Sequence, residues 1–308
     1  MFKVLLRRSF LPVVAFLAAL PLLFSATSAQ ALWNGRVLSQ ARTSSSFTVL
    51  LKISGQKQLD CSGVMIGPRL VLTAGHCLSG ATRVNARIGA DSIGVDTWLV
   101  NPSWSAGLPA NGWDARISAQ NGDRYIDLAV LLLSREPNHA QSIELTGGSS
   151  PQGALTTYGY ARGAMLDPLY KIDASSASLL QRLSPRGPFK LYASGGSAWC
   201  QGDSGGPVTR VENGSEKLVG IVGLGLGAIE HEPSSALSAR WGGAERIPKC
   251  GAYSYVQDVH MHAAWIAKAS ASLSGDVPFT ASTKQSHAEA GQNAIGEELV
   301  TRAARERM

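Results

Sequence analysis

Cys200-Gln201-Gly202-Asp203-Ser204-Gly205-Gly206-Pro207 decides how this 308-residue chain is read. A serine preceded by an acid and set among glycines asks for an unusual backbone. Glycines let the chain turn sharply and bring N–H groups close to a substrate carbonyl, an approach that Cβ atoms would obstruct. Ser204 is therefore the candidate nucleophile. Gly, Asp and Ser are also the ordinary residues of a polar turn, so this segment by itself leaves that alternative open.

Working outward, Val71-Leu72-Thr73-Ala74-Gly75-His76-Cys77 sets a histidine at the end of an apolar, strand-like run. A serine hydroxyl is a poor nucleophile until a neighbouring imidazole takes its proton. Of the six histidines, His76 alone has this setting: His139 and His231 lie in polar loop-like stretches, His260 and His262 in a helical pattern, and His287 in a polar tail. The candidate orienting acid is Asp127, in Tyr125-Ile126-Asp127-Leu128-Ala129-Val130-Leu131-Leu132-Leu133. A carboxylate embedded in an apolar run is costly without a partner, and His76 supplies one.

On these residues the chain resembles the chymotrypsin-like (trypsin-fold) serine proteases. His76, Asp127 and Ser204 stand in that family's order, which differs from the subtilisin-like and α/β-hydrolase orders. The likeness spans about 32–270 and includes Cys61-Ser62-Gly63-Val64-Met65-Ile66, Asn101-Pro102-Ser103-Trp104 and Gly251-Ala252-Tyr253. It implies an all-β fold of two packed six-stranded antiparallel β-barrels with a C-terminal helix. The expected bounds are about 45–135 and 142–256 for the barrels and 255–270 for the helix, within a protease domain at 32–271. The resemblance also implies peptide-bond hydrolysis through an acyl-enzyme. His76 would deprotonate Ser204, Asp127 would orient and stabilise the imidazolium, and the amides of Gly202 and Ser204 would receive the oxyanion. No metal or organic cofactor is implied. The implied partners are peptide or protein substrates, with a protein inhibitor as a further candidate and the oligomeric state left open.

Residues 1–31 read as an export signal: Lys3, Arg7 and Arg8 precede an apolar run over 10–24, and Ala29-Gln30-Ala31 offers small residues for cleavage. The run is short for a membrane span and contains Pro12 and Pro21, so no stable span is expected after its removal. A twin-arginine route is an alternative to the general one, although Leu6 stands where Ser or Thr usually precedes the arginine pair. The mature protein is then secreted or periplasmic. Cleavage after Ala31 would expose Leu32-Trp33-Asn34-Gly35. By resemblance, the new α-amino group of Leu32 would pair with Asp203 and order the oxyanion loop; cleavage elsewhere would leave Asp203 to a side chain. Losing the signal lowers the formal net charge from +6 to +3. No Lys/Arg stripe of the kind nucleic-acid binding requires is present. Residues 272–308 form an extension beyond the minimal family fold, and its first half is rich in Ser, Thr, Gly and Ala, which predicts flexibility.

Short apolar runs at 47–53, 64–66, 69–72, 128–133, 190–193 and 218–222 are separated by turn residues, as an antiparallel β protein requires. Asn213-Gly214 between two such runs signals a hairpin; Asn213-Gly214-Ser215 is also a glycosylation sequon. Four cysteines in an exported chain predict two disulfides, with three pairings open from spacing alone. The resemblance pairs Cys61 with Cys77 and Cys200 with Cys250. Metal binding is disfavoured because no cysteine pair has the CxxC spacing of a metal site.

By resemblance, Ala198 stands at the base of the specificity pocket, so the acid that would recognise Arg or Lys is absent. Trp199 follows, and either fills the pocket or turns aside into the barrel core. Gly225 and Gly251 match pocket-wall positions. Gly223-Leu224-Gly225 stands where the family commonly has Ser-Trp-Gly, removing the hydroxyl that supports the buried acid and an aromatic wall of the cleft. Gly225 still permits backbone pairing with an extended peptide. The stretch 105–124 is longer than the usual connection and is expected to border the cleft, with a surface insertion as the alternative. Two other readings compete: a non-catalytic homologue that uses the scaffold to bind a partner, and a serine esterase.

Overall fold

A computed structural model describes residues 36–37, 47–56, 58–105, 126–138, 140–148, 154–160, 169–174, 181–182, 187–192, 198–226, 250–251 and 253–275. The expected signal, Leu32, most of the 105–124 stretch and the chain beyond residue 275 lie outside the described residues.

Alternation of apolar and polar side chains builds the first half. In β5 (Ala81–Ile88), Val84, Ala86 and Ile88 are buried while the intervening Arg83, Asn85 and Arg87 are exposed or half-buried. This period of two lets one face of a strand line a closed core. With β2 (Thr48–Gly55), β3 (Leu59–Met65), β4 (Leu70–Thr73), β6 (Asp91–Val100) and β7 (Ala129–Leu133), it closes a barrel in the order β2-β3-β4-β7-β6-β5. Leu51, Val64, Leu72, Val84 and Leu131 are at most 1 % exposed in that core.

The second half is an eight-stranded sheet. It contains β1 (Arg36–Val37), β8 (Leu155–Tyr160), β9 (Leu169–Ala174), β10 (Gln181–Arg182), β11 (Phe189–Tyr192), β13 (Pro207–Glu212), β14 (Ser215–Leu226) and β16 (Tyr253–Asp258), in the order β1-β9-β8-β13-β14-β16-β11-β10. β12 (Trp199–Cys200) pairs separately with β15 (Cys250–Gly251). The all-β architecture with a C-terminal helix follows the expectation, one half closing as a six-stranded barrel and the other forming this sheet. The hairpin signal also holds: Glu212 faces Ser215, and Asn213 (φ 50°) and Gly214 (φ 77°) adopt the two positive φ values that a tight two-residue turn needs.

The helix begins later than 255. Tyr255 and Val256 belong to β16, where Val256 faces Phe189 on one side and Val222 on the other. The Asp258 carboxylate then accepts hydrogen bonds from the N–H groups of His260 (3.0 Å) and Met261 (3.3 Å), closing the strand in a turn that contains His260. The helix α2 runs Ala263–Ser274, with His262 at its N-cap, and stops at Gly275, whose φ of 84° suits a glycine end. Ile266 and Ala269 bury α2 in the core cluster shared with the first barrel.

Candidate active site

The three sequence candidates come from ends of elements at the seam between the two halves. Buried Val71, Leu72 and Thr73 carry the chain down β4 to a 3₁₀ turn, Gly75–Leu78, which presents His76. Asp127 lies just before β7, and its side chain is 1 % exposed against 19 % for His76. Its Oδ1 accepts the His76 backbone N–H at 2.7 Å, and its Oδ2 lies 2.8 Å from His76 Nδ1. An ionised carboxylate only accepts, so a neutral imidazole in this pairing carries its proton on Nδ1 and has its lone pair on Nε2. Gly75 allows the approach: a Cβ there would lie 3.3 Å from Asp127 Oδ1 and 3.2 Å from Trp104. Asn101-Pro102-Ser103-Trp104 supplies that neighbour. Asn101 Oδ1 accepts the Ser103 N–H at 3.0 Å at the start of the short helix α1 (Pro102–Ser105), and the Trp104 ring sits 6.0 Å from the His76 ring.

Ser204 precedes β13 on a loop held at several points. Asp203 N–H donates to Cys200 O (3.1 Å), Gly205 N–H to Val222 O (2.7 Å), Gly206 N–H to Asp203 O (3.0 Å), and Ser62 N–H to Ser204 O (2.7 Å). Gly202 and Gly205 have φ of 106° and 83°, values that glycine takes without strain. A Cβ on Gly205 would stand 2.1 Å from Thr73 Oγ1 and 2.2 Å from Ser62 O, so that position admits no side chain. Ser204 Oγ donates to Gly223 O at 3.2 Å. The Cys61–Cys77 disulfide ties β3 to the His76 turn within the first barrel, and Cys77 Sγ is 3.8 Å from His76 Nε2 and 3.9 Å from Ser204 O.

Asp203 is fully buried, and its Oδ2 accepts the Cys200 N–H at 2.7 Å. A Cβ on Gly159 of β8 would meet Asp203 Oδ1 at 2.3 Å, so the carboxylate fits against bare backbone. Leu32, its expected partner, lies outside the described residues, but β1 pairs with β9 and β9 with β8, bringing the N-terminal segment onto the sheet that holds Gly159.

Around the expected pocket, Ala198 and Trp199 are each 1 % exposed. Trp199 packs with Leu155, Phe189, Leu191, Val208, Val222 and Val256, which decides between its two sequence alternatives in favour of the core of the second half. Gly223 is tightly enclosed: a Cβ would be 2.8 Å from Tyr255 O and 3.5 Å from Asp127 Oδ2. Leu224 and Gly225 follow on β14, across a register irregularity against β16 between Val222 and Gly225. Gly251 faces Trp199 across β12 and β15. Cys200 is disulfide-bonded, and its Cα faces that of Cys250. Cys61, His76 and Cys77 bring three ligand-type atoms within 4.8 Å, but both sulfurs are committed to the disulfide and offer no thiolate. Among the described residues, no helix is long and apolar enough to cross a membrane.

Sequence reasoning passed over Ser62 except as part of a motif. Its Oγ donates to Gly202 O at 2.8 Å and accepts the Tyr160 N–H at 2.9 Å. A lone hydroxyl in a strand carries no signal of a contact 140 residues away.

Comparison with known proteins identifies the family and the fold. A family model described as Trypsin matches residues 36–237. Chymotrypsin-C from Bos taurus is 26% identical over 197 residues, covering 54% of this chain and 68% of that protein. Trypsin from Saccharopolyspora erythraea is 29% identical over 207 residues, covering 59% and 82%. A solved structure described as HL collagenase superposes with a TM-score of 0.54 at 17% identity, over 80% of this chain and all of that one, a likeness of fold.

Proposed function

The chain belongs to the trypsin family, and from that premise we propose that it is an exported serine endopeptidase that hydrolyses peptide bonds through an acyl-enzyme and lacks trypsin-like side-chain preference. The observation that carries this reading is the buried Asp127 carboxylate, bonded twice to His76 beside the Ser204 loop. Ser204 Oγ attacks the substrate carbonyl as His76 Nε2 takes its proton, and the oxyanion falls to the N–H groups of Gly202 and Ser204. His76 then returns the proton to the leaving amine, and water repeats the sequence on the acyl-enzyme. The absence of an acid at Ala198 supports a preference for uncharged side chains.

In this proposal, residues 1–31 are the export signal, 32–271 the protease domain and 272–308 an extension, and Cys200 pairs with Cys250. The α-amino group of Leu32 reaches Asp203. Four extended residues before Arg36 span about 14 Å, and two strand spacings from β1 to β8 amount to about 10 Å. The test is intact mass and N-terminal sequence of purified mature protein before and after a fluorophosphonate probe, with Ser204→Ala as control. An adduct on Ser204, cleavage of a peptide library and a Leu32 terminus support the proposal. No adduct at all returns the scaffold reading, and turnover of esters without peptides returns the esterase reading.

A further inference from the structure

We propose that Ser62 is a positioning residue for the oxyanion-binding loop, a role that rests on the serine-hydrolase reading above. Ser62 lies on β3 of the first barrel and is 1 % exposed. Its hydroxyl has one proton to give, and gives it to Gly202 O at 2.8 Å; the same oxygen accepts the Tyr160 N–H at 2.9 Å. Its backbone N–H holds Ser204 O at 2.7 Å, and its carbonyl accepts Thr73 Oγ1 at 2.7 Å. One residue thus fixes the carbonyls of Gly202 and Ser204, the two residues whose N–H groups are proposed to receive the oxyanion.

The other tethers of the loop hold Cys200, Asp203 and residues beyond them. Gly202, at φ 106°, is a residue whose backbone populates many conformations when nothing holds it. A hydrogen bond to its carbonyl sets the plane of the Gly202–Asp203 peptide and, through it, the position from which the Gly202 N–H can point. Oxyanion donors act because they are already aimed when charge develops, so the hydroxyl of Ser62 contributes to rate without touching substrate. The same hydroxyl ties β8 to that loop, so three segments meet at one oxygen: β3, β8 and the nucleophile loop.

The experiment compares wild type, Ser62→Ala, Ser62→Thr and the core control Val84→Ala, a buried first-barrel position away from the loop. Each is assayed for its second-order rate of fluorophosphonate labelling and for hydrogen exchange of a peptide covering 200–206. Removal of a whole oxyanion donor lowers rates by about 10²–10³, and loosening one should lower labelling about tenfold or more. The expected result is that loss in Ser62→Ala with faster exchange in 200–206, recovery in Ser62→Thr, and wild-type labelling in Val84→Ala despite its lower Tm. Wild-type labelling by Ser62→Ala, or an equal loss in Val84→Ala, overturns the proposal. If Ser62→Ala does not fold, Ser62→Gly removes the same hydroxyl and takes its place. If wild type itself is not labelled, the hydrolase reading fails and exchange alone decides: faster exchange on losing the hydroxyl sustains the tether, and unchanged exchange overturns it.

Discussion

Gly223→Ser restores the residue that the family commonly carries beside the buried acid, and the structure argues that this chain will not accept it. A Cβ at 223 would lie 2.8 Å from Tyr255 O. Ordinary C···O contacts begin at about 3.3 Å, so β14 and β16 would have to part by about 0.5 Å there. Overpacking of this kind costs about 1–3 kcal/mol. At 2–4 °C per kcal/mol for a domain of this size, an intermediate cost of about 2 kcal/mol lowers Tm by about 4–8 °C. The opposing gain is a hydroxyl carried on a Cβ that would stand 3.5 Å from Asp127 Oδ2, a charge-assisted hydrogen bond worth about 1.5–3 kcal/mol where geometry is good. Geometry is not good, because the strand shift that admits the Cβ also moves Gly223 O, which holds Ser204 Oγ. Calorimetric unfolding and fluorophosphonate labelling measured together should show a lower Tm and a labelling rate reduced about tenfold, equivalent to about 1.4 kcal/mol. A variant of unchanged Tm that labels faster than wild type would refute the reasoning and show that β14 has slack at this point.

Two further perturbations follow from the same geometry. Ala198→Asp should not confer cleavage after Arg or Lys: the site is 1 % exposed, so the new carboxylate is buried and, with no cation supplied alongside it, costs about 3 kcal/mol or more. Thermal unfolding should show a lower Tm, and a peptide library should show no tryptic preference; efficient tryptic cleavage would contradict the placement of Ala198. Replacing both Cys61 and Cys77 with Ala releases a bridge of sequence separation 16. It should cost about 3 kcal/mol of stability. Labelling of Ser204 should fall as well, since Cys77 Sγ stands beside both His76 Nε2 and Ser204 O. Unchanged unfolding and labelling would count against the bridge as part of the site.

What could be read from the sequence was whatever local chemistry determines. The apolar run before His76, the alternation in β5 and the Asn213-Gly214 turn are consequences of burial and backbone preference within a few residues, and the structure follows them. The acid in an apolar run likewise announced a partner, and Asp127 meets His76. Tertiary contacts decided the rest. The start of α2 depends on Asp258 closing a turn, which a pattern over 255–270 does not reveal. Trp199 could face either way until Phe189, Val222 and Val256 were seen to receive it. At Gly223, the missing hydroxyl reads as a simple loss in the sequence; in space, the backbone of Tyr255 occupies the room that a side chain would need.

The distribution of these residues explains why the fold needs two halves. His76 and Asp127 are both carried by the closed barrel, at the end of β4 and just before β7, so their pairing is internal to that barrel. Ser204 is carried by the other half, before β13, and its carbonyl is held from the first barrel by Ser62. The distance between nucleophile and base is therefore a property of the seam. Among the described residues, the contacts across that seam include Ser62 to the loop and to β8, Phe47 edge-on to Tyr158 at 5.5 Å, and Gly205 against Thr73. A change within either core is absorbed by that core and registers first as lost stability. At the seam, a sub-ångström change alters the reacting geometry directly, and misplacement of about 1 Å can cost about a hundredfold in rate. On the proposed mechanism, changes at Ser62 and Gly223 would therefore register in the labelling of Ser204 as well as in stability.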